Sequence, residues 1–467
     1  MPPGILSEGV FAILWRSRIK LGLACILVLA TWFRLTAYGD LRLSVATMDT
    51  ESYVLSAQTP TFSRGALTGE RLFTTNLLYR FARAQNCRVE ALSIPAIGKE
   101  SRREVQACFS GVVLTQSLLS ILAWGFLILS FTSTLRQNAA KLIAAVVLSV
   151  FAFAPQLADW DSILTSESLT FSLFALAVGL IIQVVRVSTE AEPETSLTLR
   201  TLAWAGGAAF VLIVWLLVRD ANLYTLLVLC LMSVPGALLL RPPRPALFAA
   251  TAALLCASLI ALASAFESGR WKIPLTDALD EYILPFPARV AAFQKMGMPS
   301  PDVATYQDWF DHRAPSAYMR FLIGHPGFAS TTLMANLNSL FGENNQPYFK
   351  TPTLPLRNTA LGVGDVVHTK SSSAALADVL IVGTLAAIAR RPGARRVGGV
   401  AWIACWLLVS AAATLFVTFF ADPIGVERHV LFGLFLFRLL EWTGLMLLVD
   451  LALDNHERSS PDHQRVD

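Results

Sequence analysis

Charge-free apolar runs recur along the chain at bilayer length: Cys108 to Ser130, Thr201 to Val218, Ala246 to Phe266 and Val397 to Ala421. Six more are nearly as apolar: Leu21 to Gly39, Leu142 to Ala158, Ile163 to Val185, Ala221 to Leu240, Ser373 to Ala389 and Val430 to Leu453. A spanning helix takes roughly 20 mostly apolar residues, so the pattern predicts about ten spans. Two long segments, 40–107 and 267–372, separate them. In the first, "LFTTNLLYRFA" carries Leu72, Phe73, Leu77, Leu78 and Phe81 at helical spacing, with Arg71, Arg80 and Arg83 elsewhere on the wheel. That predicts a helix lying on the membrane surface. The second is too long for a connector and is expected to be partly helical and folded against the membrane face.

Composition agrees with the pattern. Of the 467 residues, 54% are hydrophobic and 15% charged, where a soluble chain carries about 25% charged residues. The fold class predicted is an all-α polytopic membrane protein with about ten transmembrane helices. Juxtamembrane helices occupy its first outer loop, and its large outer loop is partly helical. The expected divisions are a transmembrane core over 1–266, an extracytoplasmic loop region over 267–372, C-terminal spans over 373–453 and a cytoplasmic tail over 454–467.

Basic residues orient the spans. Arg16, Arg18, Lys20, Arg136, Lys141, Arg186, Arg200, Arg241, Arg244 and the run "RRPGARR" (390–396) fall on one side, while the short turns opposite hold Arg219 and Arg428. The positive-inside rule then places both termini in the cytoplasm and both long loops outside. The net charge of +4 follows from this topology and gives no reason to expect a nucleic-acid partner. The first span lacks a small-residue cleavage site and reads as an anchor. Cys25, Cys230, Cys256 and Cys405 lie in spans. Cys87 and Cys108 both fall outside, where an oxidising compartment permits a bridge.

The outer turns carry the candidate chemistry. "ATMDTESYVLSAQ" (46–58) sets Asp49 and Glu51 just past the first span, and "ADWDSILTSESLTF" (158–171) sets Asp159 and Asp161 before the fourth and Glu167 about one turn inside it. Asp161, Ser162 and Thr165 suit helix capping, as does Thr47 or Asp49. Glu167 lies deeper in an apolar run, where a carboxylate by default signals function. "LVRDANLY" adds Arg219, and "DPIGVERHVLF" adds Glu427, Arg428 and His429. A carboxylate can serve as general base on a hydroxyl, and arginines can grip a phosphate through paired hydrogen bonds. At headgroup depth, the set suits a sugar carried on a lipid phosphate. Within the spans, Arg438 and Glu441 stand one turn apart and are expected to pair.

The layout resembles the GT-C superfamily of integral-membrane glycosyltransferases, which includes protein O-mannosyltransferases and lipid A aminoarabinose transferases. "MDTESYV" (48–54) is similar to the first acidic motif, "LTGERLFTTNLLYRF" (67–81) to an arginine-bearing juxtamembrane segment without its prolines, and "WDSILTSESLTF" (160–171) to a later acidic turn. "RDANLY", "ERHVLF" and "FLIGHPGF" also look like family segments. The resemblance implies a bacterial plasma-membrane enzyme that moves a sugar from a polyprenyl-phosphate donor to a lipid, glycan or protein acceptor hydroxyl, with inversion. Asp49 is expected as catalytic base and Glu167 as second acid. Glu51, Tyr53, Arg71, Asp161, Arg219, Glu427, Arg428 and His325 are expected to bind substrate, with Arg71, Arg219 and Arg428 on the donor phosphate. No cofactor is assigned, and a divalent cation stays open. Two other readings stand: a lipid or glycan transporter, which would show internal repeats, and a lipid-linked glycan polymerase or ligase, which would rely on arginine and histidine without a first-loop acid.

Overall fold

A computed structural model describes residues 5–37, 44–89, 106–190, 199–240, 244–342, 345–348, 355–391 and 394–459. Of the tail expected over 454–467, α20 takes residues up to Ser459 and the rest lies outside these residues, as does the middle of the first long loop. Every predicted span falls on a helix. In chain order these are α1 (Ile5–Ala37), α5 (Ser110–Thr132), α6 (Asn138–Phe153) with α7 (Pro155–Ala158), α8 (Glu167–Glu190), α9 (Leu199–Leu216), α10 (Asn222–Leu240), α11 (Arg244–Ser268), α18 (Ser373–Ala389), α19 (Arg395–Ala421) and α20 (Val426–Ser459). Among the described residues, seven helices are long and apolar enough to cross a membrane, or eight if the bent pair 138–153 and 155–162 counts as one. The 222–237 part of α10 and the whole of α18 are apolar but shorter. The 43° bend in the pair has a local cause. Pro155 opens α7 without an N–H to donate, and Ala154 before it is extended, at φ −69° and ψ 155°.

α8 stands at the centre, with 89% of its apolar window buried. Phe171 and Phe174 on α8 pack with Trp215 of α9 and with Phe432 and Phe435 of α20, ring centroids 5.1 to 5.5 Å apart in the closest pairs. Lipid is as apolar as these side chains, so close packing rather than water exclusion holds such helices together. Small residues permit it. A Cβ at Gly433 would come within 2.9 Å of the Leu415 backbone nitrogen, so α19 and α20 meet at a glycine.

The first long loop contains α2 (Thr50–Gln58), α3 (Arg64–Thr68) and α4 (Phe73–Phe81). The expected apolar face of α4 divides. Leu72 and Leu78 are buried, whereas Leu77 and Phe81 point outward, Phe81 at 79% exposure. The inward side carries Thr74, whose N–H and hydroxyl donate to the Leu217 and Val214 carbonyls at the end of α9. A surface helix with lipid on one side and protein on the other has its polar positions taken by the protein. Cys87 and Cys108 are bonded, with Cα atoms 5.8 Å apart, tying the end of this loop to the start of α5. For a sequence separation of 21, closing such a loop stabilises by about 3 kcal/mol in the chain-entropy treatment. Unreduced peptide maps should therefore contain a Cys87–Cys108 linked fragment, and reduction should lower the melting temperature. Two freely alkylated thiols in native protein would refute the bridge.

The second long loop folds into α12 (Lys272–Tyr282), α13 (Pro287–Lys295), α14 (Thr305–His312), α15 (Ala314–Gly324), α16 (Pro326–Gly342) and α17 (Pro355–Val367). It caps the span ends on one face. The Tyr318 and Tyr282 hydroxyls donate to the Phe420 and Phe419 carbonyls at the end of α19, and Arg357 pairs with Asp159 at 2.6 Å. Arg438 and Glu441 do not take each other as hydrogen-bond partner. Arg438 donates to the Thr369 and Phe341 carbonyls, and Glu441 accepts from the Thr369 hydroxyl. A segment returning from the loop offers backbone carbonyls that need donors, and the buried Arg438 guanidinium supplies them.

Candidate active site

A short backbone pairing brings the two acidic turns together. Val45 accepts from the Leu164 N–H at 3.0 Å and donates to the Ser162 carbonyl at 2.8 Å. Around it the Thr50 and Tyr79 hydroxyls both donate to the Leu164 carbonyl. The start of α2 is thereby pinned against the start of α8. Asp49 occupies the position before α2, but its side chain makes no cap bond. The carboxylate turns toward two arginines instead.

Arg428 is the centre of the site. Its Nη1 donates to Asp49 Oδ2 at 2.6 Å, and its Nε to Glu167 Oε1 at 2.5 Å. Arg71 Nη2 donates to Asp49 Oδ1 at 2.8 Å, and its Nε to the Ser52 hydroxyl at 2.6 Å. Arg219 Nη1 reaches Glu167 Oε1 at 3.3 Å, while its Nη2 lies 2.9 Å from His429 Nδ1. The other ring nitrogen of His429 is 3.0 Å from Asp422 Oδ2. The result is one chain, Arg71–Asp49–Arg428–Glu167–Arg219–His429–Asp422, drawn from five segments. Arg428 is delivered by a turn in which Gly425 has φ +70°, a conformation costly for any residue with a Cβ. Aromatic rings back the cations, with Tyr53 4.6 Å from the Arg71 guanidinium and Tyr348 5.7 Å from that of Arg428.

The charges have different fates. Burial alone would raise the Asp49 carboxyl, but Arg428 and Arg71 outweigh it and hold it below the usual carboxylate range. Asp422 moves the other way, pushed up to about 6 by burial and then by nearby Asp277. Burial drives the Tyr348 hydroxyl up to about 12, so it remains a donor at neutral pH.

The network forms the polar end of a cavity of about 1340 Å3. Asp49, Tyr53, Arg71, Arg219, Glu427 and Arg428 all line it, and Glu167 lies just beneath at 1% exposure. Apolar residues line it as well, among them Leu262 and Phe266 of α11, Met319 and Ile323 of α15, and Ile424. Three expected ligand residues lie elsewhere. Asp161 is neither a cap nor a cavity residue: it is buried against Arg34 of α1 and accepts from the Ser168 hydroxyl at 2.5 Å. Glu51 is exposed on α2 and outside the cavity wall. His325 stacks on Phe321 and bonds its carbonyl. Conversely, Asp422, Tyr348 and Ser52 belong to the site without having drawn notice. Asp422 ends an apolar run beside Pro423, a turn signal that hides a carboxylate.

Among the described residues, no three His, Cys, Asp or Glu side chains gather as metal ligands. Asp49 and Glu167 are each neutralised by arginine, so a divalent cation fits between them only if Arg428 leaves. No protein-family model matches this sequence, and no curated protein matches it. Among solved structures, the chain is similar to the archaeal oligosaccharyltransferase AglB from Archaeoglobus fulgidus, in complex with an inhibitory peptide and a dolichol-phosphate. The TM-score is 0.45 and the identity 13%, over 92% of this chain and 50% of that one. The apo form of the Archaeoglobus fulgidus oligosaccharyltransferase is similar too, with a TM-score of 0.44 and 15% identity over 91% and 50% of the two chains. This chain spans about half the length of the structures it matches.

Proposed function

We propose that the chain is a membrane glycosyltransferase that moves a sugar from a polyprenyl-phosphate donor to an acceptor hydroxyl on the face bearing the long loops. One observation carries this reading. A carboxylate–arginine network lines a large cavity that is also lined by apolar side chains of α11, α15 and α19. A lipid tail suits the apolar lining, and a phosphate suits the arginines.

The same geometry suggests how the base is activated. With Arg71 and Arg428 on it, Asp49 is ionised but weakly basic, and a base works best with its pKa near the working pH. A donor phosphate competes for those guanidinium groups. As they turn to it, Asp49 is released beside the acceptor and its proton affinity rises. The acceptor oxygen then attacks the anomeric carbon, Asp49 takes its proton, and the bond to phosphate oxygen breaks with inversion. Arg428 and Arg71 stabilise the charge left on the phosphate. Glu167 keeps Arg428 aimed between the two. A second candidate base is Asp422, ordered by His429 and lining the same cavity.

The test is direct. Purified protein in liposomes, given radiolabelled polyprenyl-phosphate sugars and a membrane extract as acceptor source, should release free polyprenyl phosphate. No release from any hexosyl or pentosyl donor, with protein shown to be folded, would overturn the reading. Orientation is checked separately: a reporter fused after Arg390 should behave as cytoplasmic and one near Pro301 as exported. The opposite pattern would put the site on the wrong side.

A further inference from the structure

At the other end of the bundle, a second cavity of about 240 Å3 lies among α5, α8, α18, α19 and α20. It is far along the helices from the acidic network and belongs to none of its chemistry. Its floor is apolar, formed by residues such as Val178, Leu407 and Leu439, all buried. Hydroxyls of Ser133, Thr134, Thr189 and Thr443 ring it, and Arg136, Arg186 and Arg396 stand around it. Ser133 and Arg136 are exposed, which marks the mouth.

Two of the three arginines have partners. Arg136 pairs with Asp454 at 2.9 Å, and Arg396 reaches Asp450 at 3.4 Å, a carboxylate also held by the backbone N–H groups of 136 and 137. Arg186 differs. Its Nε is buried with no hydrogen-bond partner. A buried guanidinium N–H is costly to leave unsatisfied, so this one calls for an anion. The anion must also tolerate the apolar floor. A basic pocket between spanning helices on the arginine-rich face is the setting in which acidic lipid headgroups bind.

We propose that this cavity is a binding site for an anionic phospholipid of the surrounding bilayer. Its phosphate would sit on Arg186 Nε with help from Arg136 and Arg396. Its glycerol would lie among the hydroxyls, and the first acyl carbons against the apolar floor. α8 and α20 run from this site to Glu167 and Arg428, so lipid occupancy steadies the two helices that carry the central ion pair.

Native mass spectrometry of the purified protein, offered equal phosphatidylglycerol and phosphatidylcholine, tests it. Phosphatidylglycerol should be retained preferentially and raise the melting temperature. Arg186→Gln should weaken that retention about fivefold, the effect expected of one basic residue near an anionic lipid surface. Arg186→Lys should restore it in part. Ala404→Leu fills the cavity without altering charge and should also expel the lipid, which keeps the test decisive if the arginine variants fold poorly. Equal retention of both lipids, unchanged binding in Arg186→Gln, or displacement by inorganic phosphate alone would each overturn the proposal.

Discussion

Asp49→Asn should lower sugar transfer about 100- to 10,000-fold, the range typical of a lost general base. Asparagine keeps the size and can still accept from Arg71 or Arg428, but cannot take the acceptor's proton. The protein should insert normally and melt close to wild type, because Asp49 is part-exposed, with 30% of its side chain accessible. A pH profile separates it from its rival. Asp49 is held below the usual carboxylate range, so its titration leaves kcat/KM for the donor flat near pH 6. A carboxylate base acts only when deprotonated, so if Asp422, pushed up to about 6, were the base, the rate would fall as pH drops below 6. Transfer by Asp49→Asn at near wild-type rate, with Asp422→Asn inactive, would move the base to Asp422. Full activity in both variants would sink the mechanism.

Arg428→Met is expected to be the most damaging single substitution for stability. It removes the shared partner of Glu167, whose side chain is 1% exposed, and of Asp49. Breaking a buried ion pair on one side costs about 3–5 kcal/mol, because the remaining charge stays buried. Arg219 still approaches Glu167 at 3.3 Å, which favours the lower end. The diagnostic is the double variant. Glu167→Gln with Arg428→Met removes both charges together, so it should melt above Arg428→Met alone. A single variant as stable as wild type, or a double variant no better than the single, would show that the pair is not coupled. Neither variant should transfer sugar.

The helices were legible in the chain because burial in lipid is a local property. Each span is a run of residues whose own side chains prefer hydrocarbon, and no distant contact is needed to read it. The same holds for the helical second loop and the presence of acids in the turns beside spans. Which acid meets which base was not legible. Asp161 reads as a cap, yet Arg34, 127 residues earlier, takes it. Arg438 has an acid one turn away, yet binds carbonyls of a returning loop. Arg428 joins Asp49 across 379 residues and Glu167 across 261, and a pairing through Val45 decides the first of these. Asp422 joins the site only because α19 ends beside α20. Solvent preference acts on one residue at a time and leaves its mark in sequence. Ion pairing depends on distance in space, and only the packed helices decided that.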